Sequence, residues 1–374
     1  MTSRRSRPDV SIVTSGHDVA DARLHRVCAA FVRRGLGVEV LGLGEREDAP
    51  AGVVAVRTER RPGPVGRALL ALRYAAAADG AVVMALDPDS LLACRAVAAV
   101  RRNPRVVADV HEDYGALLAD REWATGLRAR AGRLLVRLAV GAARSSDLTA
   151  VADEHLPPAS ARHRMVVRNH PDVHVLPDSG DPVGPPRALY VGDVRESRGL
   201  WDMVEAVARA DGWLLDVVGP VGRDDRARLE ARMARQDLAG RVRVHGRLVP
   251  ERAWQLAAGA SCGLALLHDT AAFRAALPTK VLEYLACGLP VIVTDLPRQA
   301  ELVSSAGAGA VVSSAPGRAA QEAAAVLASW SGTPAELAAA RAGAVRAGIR
   351  LREDDPYAGL ADAVAALLPP AGQR

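Results

Sequence analysis

The stretch Leu277-Pro-Thr-Lys-Val-Leu-Glu-Tyr-Leu-Ala-Cys-Gly-Leu-Pro-Val-Ile-Val-Thr294 contains a predicted helix and the strand that follows it. Pro278 stands where a helix can begin and Gly288 where it can end, because proline suits the first turn and glycine the C-terminal cap. The β-branched run Val291–Thr294 then predicts a strand. The stretch is therefore one helix–strand repeat of an α/β fold.

The same alternation of β-branched runs and Ala- and Arg-rich helical stretches continues along the whole chain. Strands are predicted at Val10–Thr14, Gly37–Leu43, Val53–Val56, Ala81–Leu86, Arg105–Val110, Leu148–Val151 and Met165–Arg168, and then at Ala188–Val191, Leu214–Val218, Val242–His245, Gly263–Leu267, Pro290–Thr294 and Gly309–Val312. Helical stretches lie between these strands. Such an order predicts parallel sheets covered on both faces.

A segment rich in proline and glycine, residues 171–186, separates the two series of strands and is typical of a domain boundary. We therefore expect an N-terminal Rossmann-like domain at 1–170, a C-terminal one at 187–355, and a last helix and tail at 356–374. Ligands bind such doubly wound sheets outside the carboxyl ends of the strands. Two such domains facing each other would form a cleft that suits a two-substrate reaction.

Length and composition agree with this division. The 374 residues exceed what one hydrophobic core usually serves, and 49% hydrophobic with 24% charged residues is an ordinary globular balance. No apolar run is long enough for a membrane-spanning helix, and the start of the chain lacks the apolar core of a signal peptide. The 4 cysteines are widely spaced without a CxxC pair, so we expect a reducing, cytoplasmic location.

The net charge of +5 favours anionic ligands, and one lysine, Lys280, stands among the 48 basic residues. The arginines are scattered, which is not typical of a nucleic-acid-binding stripe. The stretch at 127–138 is both amphipathic and basic, a pattern that would suit weak peripheral contact with a membrane.

Lys280 and Glu283 are three residues apart, which places them on one face of the predicted helix. A lysine in the first turn opposes the helix dipole, and a phosphate bound at that terminus would reverse the sign of the interaction. Glu283 is then placed to accept hydrogen bonds from a vicinal diol such as a ribose. The alternative is a weak surface ion pair.

Two polar loops follow predicted strands of the first half. In Thr14–Arg23, Gly16 can bring an anion close to backbone amides, or the loop is a plain turn with Asp21 as an N-cap. It contains no GxGxxG, so dinucleotide binding is not supported. In Val107–Gly115, His111 can bind a sugar hydroxyl or transfer a proton, or it merely caps the next helix.

A third loop, Leu189–Gly199, opens the second half. Gly192 frees the turn, and the fork-shaped donors of Arg195 and Arg198 can clamp a diphosphate; the alternative is a solvated loop. Asp87-Pro-Asp89 has the spacing of a metal-bound diphosphate site but lies in the N-terminal domain, whereas the candidate diphosphate clamp lies in the C-terminal one. No metal and no cofactor are therefore predicted.

The stretch that starts at Leu277 resembles the nucleotide-sugar signature of the retaining GT-B glycosyltransferases of family 4, and the resemblance covers nearly the whole chain. It implies the GT-B fold, with a C-terminal helix that returns towards the N-terminal domain. In the family the acidic residue, here Glu283, binds the ribose, and the residues before it meet the sugar and phosphates. The roles that the resemblance implies are transfer chemistry for His111, Lys280 and Arg198, donor-nucleotide binding for Gly16, Gly192, Arg195, Arg198, His245, Thr279, Lys280 and Glu283, and acceptor-side positions for His17, Asp21, Arg23 and Glu112.

Two positions depart from the family pattern. The signature normally has a second glutamate eight residues before the ribose-binding one, where this chain has Ala275. The phosphate-binding loop of the family normally has a lysine beside its glycine, where this chain has Arg198. The first change removes a carboxylate that generally contacts the donor sugar, whereas the second keeps the charge. Subgroups with a Pro-Thr-Lys form of the motif exist, so activity is still expected.

The resemblance therefore implies a metal-independent, retaining hexosyltransferase that moves a sugar from a nucleotide-diphosphate sugar to a hydroxyl acceptor. A UDP-sugar is favoured by its frequency in the family, with guanosine and thymidine donors as alternatives. The acceptor can be a glycan precursor, a lipid or a small metabolite. Two other functions stay open: a nucleotide-sugar epimerase or hydrolase of the same fold, and a non-catalytic basic protein that binds membrane surfaces.

Overall fold

A computed structural model describes residues 7–101, 104–115, 126–178, 180, 182, 184–270, 273–274 and 276–370. The chain divides into two compact units. Unit 1 contains the residues up to Asn169 and those from Asp355 onward, and unit 2 runs from His170 to Asp354. The last helix thus belongs to unit 1.

Unit 1 is built around one parallel sheet. Its described strands are β1 (Val10–Asp18), β2 (Val38–Leu43), β3 (Ala55–Glu59), β4 (Val82–Ala85), β5 (Arg105–Val110), β6 (Leu148–Val151) and β7 (Arg164–Val166), in the order β3-β2-β1-β4-β5-β6-β7. Its described helices are α1 (Ala22–Arg33), α2 (Pro64–Ala77), α3 (Pro88–Val100), α4 (Gly126–Arg144) and α12 (Pro356–Ala365).

Unit 2 repeats this plan. Its described strands are β8 (Arg187–Val191), β9 (Leu214–Val218), β10 (Val242–Gly246), β11 (Cys262–Ala265), β12 (Val291–Thr294) and β13 (Gly309–Val312), in the order β10-β9-β8-β11-β12-β13. Its described helices are α5 (Leu200–Arg209), α6 (Arg223–Met233), α7 (Pro250–Gln255), α8 (Thr279–Ala286), α9 (Pro297–Ala306), α10 (Ala319–Gly332) and α11 (Pro334–Glu353).

The inner strands of each sheet, such as β1, β4, β11 and β12, are buried, which explains why they are near-continuous apolar runs, whereas edge strands such as β3 and β10 are partly exposed and carry polar residues. In unit 1, Leu24 of α1 and Leu360 of α12 belong to one apolar cluster, and Leu70 of α2 and Leu91 of α3 belong to another. The sequence-predicted pair of doubly wound α/β domains is confirmed. None of the described helices is both long and apolar enough to cross a bilayer.

The strand orders locate the functional edge of each unit. In unit 1 the order reverses between β1 and β4, and in unit 2 it reverses between β8 and β11. Chains that leave two adjacent strands in opposite directions open a crevice at the carboxyl ends of those strands, where ligands bind. Of the predicted site residues, Gly16 and His17 lie in β1 and Gly192 follows β8, next to these switch points, whereas His245 lies in the edge strand β10.

Candidate functional sites of the two units

The switch point of unit 1 is organised around the buried carboxylate of Asp87. It accepts hydrogen bonds from Thr14 Oγ1 at 2.8 Å and from the backbone N–H groups of Ser15 at 2.9 Å and Gly16 at 3.2 Å. Burial by itself would raise the pKa of Asp87, but the charge of Arg67 and the hydrogen bonds from the Ser90 N–H and the Thr14 hydroxyl outweigh burial and lower it. The carboxylate therefore fixes the C-terminal part of β1.

Arg67 occupies the space beside this part of β1. A side chain on Gly16 would begin 2.6 Å from Arg67 Nη2, so only glycine allows the guanidinium to lie there. Arg67 also pairs with Asp87 at 3.4 Å and with Asp89 at 2.6 Å. Both acids of the Asp87-Pro-Asp89 triplet thus contact a guanidinium, and the described residues contain no cluster of three metal-ligating side chains.

Two histidines lie side by side at the same edge. The rings of His17 and His111 are 5.3 Å apart, and His111 Nε2 lies 2.6 Å from Asp109 Oδ2. Burial lowers the pKa of His17, and the neighbouring His111 lowers it further. Since Asp109 is fully buried and holds one ring nitrogen of His111, the orientation of that ring is set by the carboxylate.

The remaining acceptor-side candidates of unit 1 differ in how accessible they are. Arg23 is 5% exposed, donates from Nε and Nη2 to Asp109, and donates from Nη1 to the carbonyl of Val167. Asp21 is the N-cap of α1 and accepts from two backbone N–H groups. Glu112 is exposed at the end of the strand. Arg23 and Asp21 therefore have structural contacts of their own, whereas Glu112 faces solvent.

In unit 2, Lys280 lies in the first turn of α8 and is only 7% exposed. Its Nζ donates to Tyr190 Oη at 2.6 Å and lies 3.9 Å from the centre of the Tyr190 ring. Burial lowers the pKa of Lys280 to about 7, and the nearby charge of Arg198 contributes in the same direction. The ammonium is thus held beside a neutral hydroxyl at the switch point.

The loop after β8 passes directly over this lysine. Gly192 has φ 142°, and a side chain there would begin 3.0 Å from Lys280 Nζ. Arg198 stacks on Phe273 at 5.1 Å, and its Nε is buried without a hydrogen-bond partner among the described residues. Arg195 is exposed and forms an ion pair with Asp193. At this edge, Lys280 and the Nε of Arg198 are therefore buried, whereas Arg195 faces solvent.

The other predicted donor-side residues lie on neighbouring elements. Thr279 precedes Lys280 in α8, and Glu283 is half-buried one turn later on the same helix. His245, at the end of β10, contacts the buried Asp216 through Nε2 at 2.7 Å, and Asp216 also pairs with Arg187 at 2.8 Å. Ala275, the position of the missing glutamate, lies outside the described residues.

Several contacts of these sites were not predicted from the sequence. Tyr190 beneath Lys280, Asp109 between Arg23 and His111, and Asp87 beneath Gly16 are all buried polar partners. The available signal was a polar residue inside a strand or at its carboxyl end, since such a residue must find a hydrogen-bond partner when it is buried.

Comparisons with known proteins give a family match for the second half of the chain. Residues 176–342 match the family of glycosyl transferases group 1. No curated protein sequence matches the chain closely enough to count as a relative.

Solved structures share the fold across the whole chain. Sucrose-phosphate synthase from Thermosynechococcus elongatus has 16% identity and a TM-score of 0.62, with 96% of this chain and 98% of that chain covered. Anabaena Alr3699/HepE in complex with UDP-glucose has 16% identity and a TM-score of 0.64, with 96% and 98% covered. A glycosyltransferase from Rickettsia africae has 12% identity and a TM-score of 0.64, with 98% and 100% covered.

Proposed function

Because residues 176–342 carry a group 1 glycosyltransferase domain on a GT-B fold, we propose that this glycosyltransferase moves a sugar from a nucleotide-diphosphate sugar to a hydroxyl acceptor. The observation that carries the proposal is Lys280, a buried amine at the switch point of unit 2 with Gly192 above it and Arg198 nearby. Burying an amine beside a neutral hydroxyl costs stability. A bound diphosphate would reverse that cost.

The chemistry that these cations support is stabilisation of the leaving group. Negative charge grows on the β-phosphate as the bond to the sugar breaks, and preorganised cations in a desolvated site stabilise that charge. We assign this role to Lys280 and Arg198. The inward Nε of Arg198, buried without a partner among the described residues, supports the assignment. A metal-independent reaction follows as our proposal, because two side chains supply the positive charge.

We assign the nucleoside to the rest of the same edge. Glu283 follows Lys280 by one helical turn, where its carboxylate can accept hydrogen bonds from the two hydroxyls of a ribose. UDP is the favoured nucleotide, and the structurally similar HepE protein is described in complex with UDP-glucose. We propose retention of configuration from the family resemblance alone.

In unit 1, His111 is the candidate to contact the transferred sugar, and His17 and Glu112 are the candidates on the acceptor side. The support for His111 is its ring, which is part-buried and oriented by the ionised Asp109. Arg23 is better assigned to holding Asp109 than to touching the acceptor, since each terminal nitrogen of its guanidinium already donates to a buried acceptor.

The test is calorimetric titration of the protein with UDP, GDP and TDP, in EDTA and in magnesium. We expect one diphosphate to bind with an affinity that magnesium does not change, and Glu283→Ala to weaken it. Nucleotide release from the matching nucleotide sugar should then require an acceptor. Fast release without an acceptor would favour a hydrolase or epimerase, and no binding of any diphosphate would contradict the proposal.

A membrane partner is proposed on a separate observation. On α4, Leu134, Leu135 and Leu138 are 58%, 41% and 53% exposed. They alternate with arginines, and the sequence from Gly126 to Arg144 contains no acidic residue. Exposed leucines flanked by arginines suit the surface of an anionic bilayer.

The corresponding test is flotation with vesicles that contain anionic lipid at low salt. Wild-type protein should float, and Leu134→Ser with Leu138→Ser should not. Matched serine variants of the exposed Leu69 and Leu72 on α2 should behave as wild type. Wild-type protein that stays at the bottom would remove the membrane contact and leave the transferase proposal intact.

A further inference from the structure

His268 lies at the switch point of unit 2 and has no role in the site described above. It follows β11, the strand that pairs with β8 across the reversal of the strand order. Its backbone N–H donates to the carbonyl of Ser197 at 3.1 Å, which ties it to the residue before Arg198. Leu266 and Leu267 before it are fully buried, whereas its side chain is 40% exposed.

The ring of His268 is oriented by a carboxylate. Its Nε2 lies 3.0 Å from Oδ2 of Asp202, a residue in the first turn of α5 that is 16% exposed. An ionised carboxylate only accepts hydrogen bonds, so Nε2 carries the proton. In the neutral ring, Nδ1 is then an acceptor, and no hydrogen bond to Nδ1 occurs within the described part of the chain.

The other polar side chains described between β11 and α8 form hydrogen bonds or ion pairs within that segment. Asp269 forms an ion pair with Arg274. The Thr270 hydroxyl accepts a hydrogen bond from the backbone N–H of Phe273 at 3.3 Å. The ring of Phe273 in turn packs against the Arg198 guanidinium. Among the described residues between β11 and α8, His268 is therefore the side chain that combines exposure, a fixed orientation and an available hydrogen-bond acceptor.

We propose that His268 Nδ1 accepts a hydrogen bond from a hydroxyl of the donor sugar, and that Asp202 is the positioning residue for the ring. This inference rests on the proposed function, in which Arg198 and Lys280 hold the diphosphate. The nucleoside and the sugar are the two groups attached to a diphosphate, and Glu283 on α8 is assigned to the nucleoside. The histidine bonded to the Arg198 loop then meets the sugar, a hydroxyl-rich group that suits an imidazole acceptor.

The experiment compares two ligands on the same variants. Wild type, His268→Ala, His268→Asn and Glu283→Gln are titrated with UDP and with UDP-glucose, UDP-galactose and UDP-N-acetylglucosamine. For the nucleotide sugar that wild type binds more tightly than UDP, His268→Ala should lose roughly tenfold in affinity, about the value of one neutral hydrogen bond, with the Kd for UDP unchanged. His268→Asn, whose side-chain carbonyl can replace Nδ1, should restore most of that loss.

The outcomes separate the two proposals. Glu283→Gln should weaken UDP and the nucleotide sugar equally, which marks a lesion of the nucleotide site. If His268→Ala also weakens both equally, or weakens neither, the sugar contact is wrong while the proposed function stands. Wild-type protein that binds no nucleotide would overturn the proposed function itself, and wild-type protein that binds every nucleotide sugar no better than UDP would overturn the sugar contact.

Asp202 is tested by kinetics, because a purely structural role would lower the thermal stability of the protein, whereas a positioning role raises KM for the donor. Asp202→Asn removes the charge that fixes the ring but keeps the size of the side chain. We expect KM for the donor to rise several-fold at little cost in thermal stability, and no further rise when the change is combined with His268→Ala. Additive effects of the two changes would contradict the positioning role.

Discussion

The two switch points use buried charge in opposite ways. In unit 1 the buried charges are matched within the protein: Asp109 pairs with Arg23, and Asp87 with Arg67 and several donors. In unit 2, Lys280 meets a neutral hydroxyl, and Arg198 Nε has no partner among the described residues. Removing one partner of a matched buried pair destabilises the fold, whereas an unmatched buried cation is itself maintained at a cost.

This difference assigns different tasks to the two edges. The matched groups of unit 1 hold loops and histidine rings in fixed positions, so their removal should mainly affect stability. In unit 2 the charges of Glu283 and Asp193 raise the pKa of Lys280 less than burial and Arg198 lower it, so the protein does not fully compensate this cation. Removal of Lys280 or Arg198 should therefore mainly affect ligand binding. The predictions below separate the two effects, beginning with the largest.

The largest effect on stability is expected in unit 1. Asp109→Asn leaves the buried guanidinium of Arg23 without its counter-charge, and breaking a buried pair in this way costs about 3–5 kcal/mol. Urea unfolding of the ligand-free protein should show this loss, and the exposed ion pair Arg34–Asp362 provides the matched control, with Asp362→Asn changing stability by roughly 1 kcal/mol or less. Equal effects of the two changes would contradict the assigned role of the buried pair.

In unit 2, Arg198→Met should weaken binding of the nucleotide diphosphate by about ten- to a hundredfold, the size of a hydrogen bond to a charged group. Methionine keeps the apolar contact with Phe273. Arg195→Met is the matched control, because Arg195 is exposed and already paired with Asp193. Calorimetry that shows the larger loss for Arg195 would reverse the assignment of the two arginines.

The lysine should make binding depend on pH. With the pKa of Lys280 at about 7 in the free protein, the ammonium is present below pH 7 and is lost above it. A bound diphosphate raises this pKa, so binding takes up a proton above pH 7 and the Kd should rise by up to roughly tenfold per pH unit between pH 7 and 9. Lys280→Arg keeps the charge at all of these pH values and should flatten the profile, and a flat wild-type profile would contradict the assignment.

The sequence predicted the strands of both sheets because buried parallel strands need apolar residues at nearly every position. It predicted β1 too short, ending it at Thr14, whereas the strand continues to Asp18 through a register shift against β2. Ser15 and Gly16 look like loop residues, and their place in the strand depends on Asp87, which is more than 70 positions away in the sequence.

The candidate site was likewise predictable only where a local sequence pattern decides the geometry. Lys280 and Glu283 were predictable because helical spacing alone places them on one face. The partner of Lys280 is 90 residues away and that of Arg23 is 86 residues away, so no local pattern indicates either contact. The matched or unmatched state of each charge therefore emerges only from the tertiary structure.

The most direct test of the unmatched cation is the single change Lys280→Met, followed by both unfolding and nucleotide binding at pH 7. Between pH 7 and 10.5 the unfolded chain holds the Lys280 proton more tightly than the folded chain, so the lysine lowers stability near neutral pH. The ligand-free variant should thus be at least as stable as wild type and bind the nucleotide diphosphate at least roughly tenfold more weakly. A variant that unfolds more easily yet binds the nucleotide as wild type does would contradict the account.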